Sequence, residues 1–143
     1  MRYKIVFSLP VHEKFDVVID QLFNIINFNP DCAVVLHISP SFNYIESAIG
    51  RSEFERIVSE RFISQVFINP QSVRTGWFDI IQAHIANFKF ISKLIDFDFF
   101  SLIASNELFI RSGLYDKIKG FDCGMGGGKN IWLKFDKKRC KAC

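Results

Sequence analysis

Apolar and polar positions follow two different periods along the chain, and their order predicts the architecture. Tyr3 to Leu9 is a short β-rich run stopped by Pro10. From Lys14 to Phe28 the residues Phe15, Val18, Ile19, Leu22, Phe23 and Ile26 recur at three- and four-residue spacing. Asp16, Asp20, Gln21, Asn24 and Asn27 lie between them, so the stretch reads as an amphipathic helix. Asn29, Pro30 and Asp31 end it. Ala33 to Ile38 is apolar on nearly every position, as expected of a strand covered on both faces, and Ser39, Pro40 and Ser41 close it. Ser52 and Glu55 have capping-box spacing and open a short helix with Phe54, Ile57, Val58 and Phe62 facing inward. Gln65 to Ile68 is a third strand, ended by Asn69 and Pro70. Beyond a polar loop with Gln71, Ser72, Arg74 and Thr75, the residues Trp77, Ile80, Ile81, His84, Ile85, Phe88, Ile91 and Ile95 predict a helix of about five turns. Asp98 to Ala104 is the fourth strand. Ser105, Asn106 and Glu107 follow, and Ser112 is expected to cap a last helix, Gly113 to Lys119, with Gly120 in the C-cap place.

Four strands alternating with helices predict the α/β class: a mostly parallel sheet, right-handed crossovers and helices on both faces. In such sheets a ligand lies outside the carboxyl ends of the strands. The candidate binding residues are therefore Pro10, Val11 and His12 after strand one, Ser39 after strand two, Arg74, Gly76 and Trp77 after strand three, and Ser105, Asn106 and Glu107 after strand four. Arg74 is the one cation of this set. A guanidinium beside a helix N-terminus, with its free N–H groups, suits a pyrophosphate.

Composition agrees with one domain that buries a core. Hydrophobic residues make up 49% of the 143, Pro and Gly number only 4 and 8, and 17 Phe and 19 Ile supply bulk for a sheet covered by helices. Charge is uneven. Residues 124–143 hold six Lys or Arg against one Asp, whereas residues 1–123 hold 12 basic and 14 acidic groups. The nearly neutral body lacks the cationic stripe that nucleic acid requires. The chain divides into a main domain, residues 1–120, expected to hold the strand-end pyrophosphate site, and a basic Gly/Lys/Cys tail, residues 121–143, set apart from the core by its composition. That tail is either solvated or in contact with an anionic membrane surface. No apolar window of about 18 residues is present for a spanning helix, and the short apolar start does not resemble a signal peptide. The expected location is cytoplasmic, with reduced thiols. Cys123, Cys140 and Cys143 provide three thiols without a nearby His, one ligand short of a closed zinc site, so no metal is expected.

Spacing excludes other familiar sites. SLPVHEK follows strand one in place of a GxGxxG turn. The glycines from 124 to 128 fail as a phosphate loop, because Cys123 and Asn130 stand where Gly and Ser or Thr are needed. Neither GxSxG nor HExxH occurs.

The ordered segments VFSLPVH, VVLHISPS, VFINPQSVRTGWFDIIQAHI and FDFFSLIASNELFIRSGL carry a resemblance. Over about residues 3 to 120 the chain resembles the N-terminal, donor-binding half of the core-2/I-branching N-acetylglucosaminyltransferase and peptide xylosyltransferase group, including bacterial relatives that build surface polysaccharides. The resemblance implies a GT-A glycosyltransferase that moves a sugar from a nucleotide donor, typically UDP-linked, to a hydroxyl of a glycan or lipid-linked acceptor. Ser39 stands where the group usually has an Asp that meets the nucleoside. Ser105, Asn106 and Glu107 occupy the region of its Ser-Gly-any-Asp motif. The group does without the metal-binding DxD, so neither a metal nor another cofactor is implied. Its catalytic base lies in the acceptor half, which leaves the catalytic residues of this chain unknown. The expectation is a donor-binding half with weak or no transfer alone, at the inner face of a membrane.

Plainer roles stand beside these. His84 and His37 read as hydrogen-bonded core histidines, and His12 is open between loop packing and substrate contact. Trp77 either packs or stacks on a base, Arg74 either meets phosphate or pairs with a surface carboxylate, and Glu107 is either a sugar contact or a solvated acid. The alternatives to a transferase are a nucleotide-binding α/β module without catalysis and an oligomeric interaction domain with exposed Phe residues.

Overall fold

The computed structural model describes residues 2–40, 47–75 and 79–120, together with the backbone of residues 123–126 and 130–134. The chain runs β1 (Arg2–Val11), α1 (Phe15–Phe28), β2 (Cys32–Ile38), α2 (Arg51–Arg61), β3 (Val66–Ile68), α3 (Ile80–Ile91), β4 (Asp96–Leu102), α4 (Leu114–Ile118), β5 (Cys123–Gly126) and β6 (Asn130–Lys134). One sheet has the order β3-β2-β1-β4-β6-β5. The first four strands are parallel, with Ile5 opposite Cys32, Ile5 opposite Phe99 and Val34 opposite Val66. The fold is therefore α/β with a parallel sheet of Rossmann-like order.

Alternating side chains sort the core into two layers. Phe7, Leu9 and Val11 of β1 and Val34, Leu36 and Ile38 of β2 pack with Phe15, Val18, Leu22 and Ile25 of α1, Phe54 and Val58 of α2, and Ile118 of α4. On the other face Val6, Ala33, Val35 and Phe100 meet Phe88 and Ile91 of α3. A strand covered on both sides must be apolar on both sides, which accounts for the continuous burial of β2. The chain leaves β1 toward β2 through α1 on one face and reaches β4, on the other side of β1, through α3 on the opposite face. The strand order thus reverses between β1 and β4, and an open crevice belongs at their carboxyl ends.

Several expected boundaries move. β1 continues through Pro10 to Val11; Pro10 lies opposite His37 near the end of the strand, where one missing N–H costs little of the ladder. α1 buries Gln21 and Ile25, while Phe23 is 45% exposed and leans on Phe62. The Ser47 hydroxyl, 2.6 Å away, accepts the Phe15 amide, so α1 is capped by a distant residue. α2 starts one residue before the expected cap: Gly50 is the N-cap, without a side-chain bond, and Glu55 instead pairs with Arg51. α3 is 12 residues long, shorter than the apolar spacing predicted, and Ile81 and Ile85 of the expected stripe are 47% and 42% exposed. Its buried face is Ala83, His84, Asn87 and Ile91. β4 runs from Asp96, two residues earlier than expected. α4 is five residues long; its N-cap is Gly113, at φ 88°, a conformation that favours glycine, and Ser112 makes no cap. The region set apart by composition adds backbone to the sheet, with β6 antiparallel to β4 (Phe100 opposite Leu133) and β5 antiparallel to β6. Among the described residues no helix is long and apolar enough to cross a membrane.

Candidate functional site

Three connections converge on the carboxyl edge of the parallel strands, and side chains from neighbouring elements fix two of them. The loop after β3 is tied to the end of β2. His37 Nε2 accepts the Val73 amide at 2.9 Å, and Ser39 Oγ accepts the Thr75 amide at 3.3 Å. Arg74 lies between these two anchors, exposed and without an ion pair to any described residue. Asn69, buried at the start of the same loop, accepts the Gln71 amide at 2.9 Å and donates to Asn87 Oδ1 of α3 at 3.1 Å.

Beneath that loop is a buried polar chain. Asn87 Nδ2 donates to Ser8 Oγ and to the Val35 carbonyl, each at 3.0 Å. Ser8 Oγ also meets His84 Nδ1 at 2.8 Å. Ser8 Oγ has two lone pairs and one proton, so it can meet His84 Nδ1 as donor or as acceptor. For His37 the tautomer is set: Nε2 accepts from Val73, so the proton of the uncharged ring is on Nδ1, a buried atom with no hydrogen-bond partner among the described residues. Burial lowers the pKa of His84 to about 4, with His37 and His12 adding to the effect. Burial lowers that of His37 as well, helped by His12. Loss of hydration also lowers His12, against a smaller opposing pull from Glu13. The three imidazoles thus share one end of the sheet and are held uncharged there at neutral pH.

The loop after β4 is tied to α1. Gln21 Nε2 donates to the carbonyls of Ala104 and Glu107, both at 2.8 Å. Asn24 exchanges two hydrogen bonds with the backbone of Phe109, at 2.7 and 3.0 Å. Glu107 Oε2 accepts the Ala104 amide at 2.9 Å. One carboxylate oxygen therefore holds its own loop, a role that the sequence does not display.

The structure brings Pro10, Val11, His12, Ser39, Arg74, Ser105, Asn106 and Glu107 to the same edge of the sheet. Their side chains are not equally available. Val11 is buried in the α1 layer and offers this edge only backbone. Pro10, Ser39 and Ser105 are buried, whereas His12, Arg74, Asn106 and Glu107 are exposed. Gly76, Trp77 and Ser41 lie outside the described residues, as do the side chain of Cys123 and all of Cys140 and Cys143. The helix start expected at Gly76 and Trp77 falls instead at Ile80, with Asp79 as N-cap. An acid at that position opposes an anion, so the helix terminus adds little and Arg74 is the principal cation. Among the described residues no group of three or more His, Cys, Asp or Glu is arranged to hold a metal.

Sequence reasoning missed Ser8 and Asn87, placed Asn69 only among the residues that follow strand three, and assigned His37 no role at the edge. The available signal was a polar residue interrupting an apolar run, as Ser8 does in VFSLP and Asn87 in HIANF. At the other end of the sheet a cleft is lined by Lys4, Asp31, Cys32, Gly113 and Tyr115. Lys4 pairs with Asp31 and lies over the Tyr115 ring, and burial pushes the Cys32 thiol up to about 12. Compared with models of known protein families and with curated proteins, the chain matches none.

Proposed function

We propose that the carboxyl edge binds the diphosphate of a nucleotide-sugar, UDP-linked, and that the chain is the donor-binding half of a glycosyltransferase acting on a glycan or lipid-linked acceptor. The observation that carries this reading is the fixed position of Arg74. Its neighbours on either side are tied to His37 and Ser39, so the guanidinium starts from a backbone anchored at the carboxyl end of β2, next to the strand at which the sheet order reverses. A transferred glycosyl group leaves negative charge on the departing pyrophosphate. A site without a metal stabilises that charge with a pre-positioned cation and N–H dipoles. The sugar class and the UDP preference rest on the sequence resemblance.

A second reading, nucleotide binding without transfer, is favoured by Glu107. Its carboxylate holds the Ala104 amide and is only partly free to act on a sugar. Donor hydrolysis separates the two, since a binding module leaves the donor intact.

Calorimetry tests the shared part. UDP and UDP-sugars should bind at neutral pH, and Arg74→Ala should weaken UDP by about tenfold or more, the usual loss for a charge-assisted hydrogen bond, while leaving uridine unchanged. Arg74 is exposed and bonds to no described residue, so the variant should fold normally. No heat with any nucleotide, or equal losses for uridine and UDP, would contradict the proposal.

A further inference from the structure

We infer that His37 is a proton-sensitive positioning residue: only its uncharged ring, with Nε2 as acceptor, holds the loop that carries Arg74. Its effect on ligand rests on the diphosphate reading above, whereas the latch itself does not. Val73 N–H points at His37 Nε2, and Thr75 N–H, two residues on, points at Ser39 Oγ. A proton on Nε2 turns the acceptor into a donor and sets two N–H groups against each other. The Val73 anchor is then lost, and Arg74 loses its nearest upstream tie while the Gln71 bond to Asn69 and the Thr75 bond to Ser39 remain.

The surroundings make that change one-directional. Burial and His12, beyond β1, oppose a charge on the His37 ring against a smaller opposing effect of a backbone hydrogen bond, and His37 in turn opposes a charge on His84 of α3. The loop itself adds only the cation Arg74. Glu13 acts on His12. No carboxylate among the described residues acts on His37 to stabilise its protonated ring. Nothing in the buried chain of Ser8, His84 and Asn87 needs to move, so the release is local to residues 71–75.

Amide hydrogen exchange on the full chain, read as protection factors, tests the latch without any ligand. The Val73 amide should lose about tenfold of its protection between pH 7.5 and pH 5, relative to the β2 amides of Val34 and Val35, which report the whole sheet. His37→Gln places an amide oxygen near Nε2 that accepts the same N–H and does not titrate, so protection of Val73 should then be independent of pH. His37→Phe should remove it at both values. In wild type the imidazole nitrogen shifts should give the Nδ1–H tautomer at pH 7.5. Equal Val73 protection at both pH values in wild type, or a pH response in His37→Gln as large as in wild type, would overturn the inference. A latch that behaves as described in a chain that binds no UDP would instead count against the diphosphate reading alone.

Discussion

Replacing Asn87 by leucine is expected to lower the unfolding free energy by roughly 3–5 kcal/mol, because it takes from buried partners in three other segments their hydrogen bonds to Asn87. Asn87 is fully buried on α3 and joins Ser8 of β1, the Val35 carbonyl of β2 and Asn69 at the start of the next loop. Leucine keeps the branched outline and is bulkier, so no cavity forms and any misfit adds to the loss. Ser8 keeps its contact with His84, whereas the Val35 carbonyl and the Asn69 amide lose the Asn87 side chain, each worth about 1–3 kcal/mol when unpaired. The damage also reaches the carboxyl edge, since Asn69 holds the loop that leads to Arg74. Urea unfolding of the two proteins measures the difference. A shift below about 1 kcal/mol would mean that the chain contributes no more than a surface contact does.

Acid is expected to be the second large perturbation. His84 has a folded pKa of about 4 against an unfolded value near 6.5. The unfolded chain therefore binds the proton more readily, and the sign follows: stability is fully present above about pH 6.5 and falls as the pH drops toward 4. Between pH 7 and pH 5 the loss from His84 alone is roughly 2 kcal/mol. His37 and His12, lowered by the same physical cause, act in the same direction. The exposed carboxylates that arginine and lysine hold down, Glu53 and Asp116, give up their share only at more acid pH. The urea midpoint should fall steadily over that range, and His84→Gln should flatten the fall. A midpoint that stays level or rises from pH 7 to pH 5 would show that the imidazoles are not held neutral by burial.

Strand and helix order was legible because the apolar runs are long and bounded by Asn, Pro and Ser. The errors have specific causes. α3 was read from its isoleucines, but the sheet beneath it presents Ser8 and a backbone carbonyl. The helix therefore turns Asn87 inward beside His84, which was expected in the core, and leaves Ile81 and Ile85 outward. The hairpin of β5 and β6 was hidden by its glycines and lysines, a composition that ordinarily marks loop. That the strand-end residues share one edge of the sheet could be read from the strand ends alone, because parallel topology brings them together. Its supports could not, since the partner of His37 is a backbone amide 36 residues away, and a backbone amide carries no sequence signal. Glu107 shows the converse, an acid at a plausible place whose carboxylate is engaged with the Ala104 amide.

Amide shift mapping with UDP on the isotope-labelled chain tests the central claim most directly, because it reports where the ligand sits as well as whether it binds. The account predicts perturbations concentrated at residues 11–13, 71–75 and 104–107, at the carboxyl ends of the parallel strands. Shifts clustered instead around Lys4, Asp31, Cys32 and Tyr115, at the opposite end of the sheet, would contradict it.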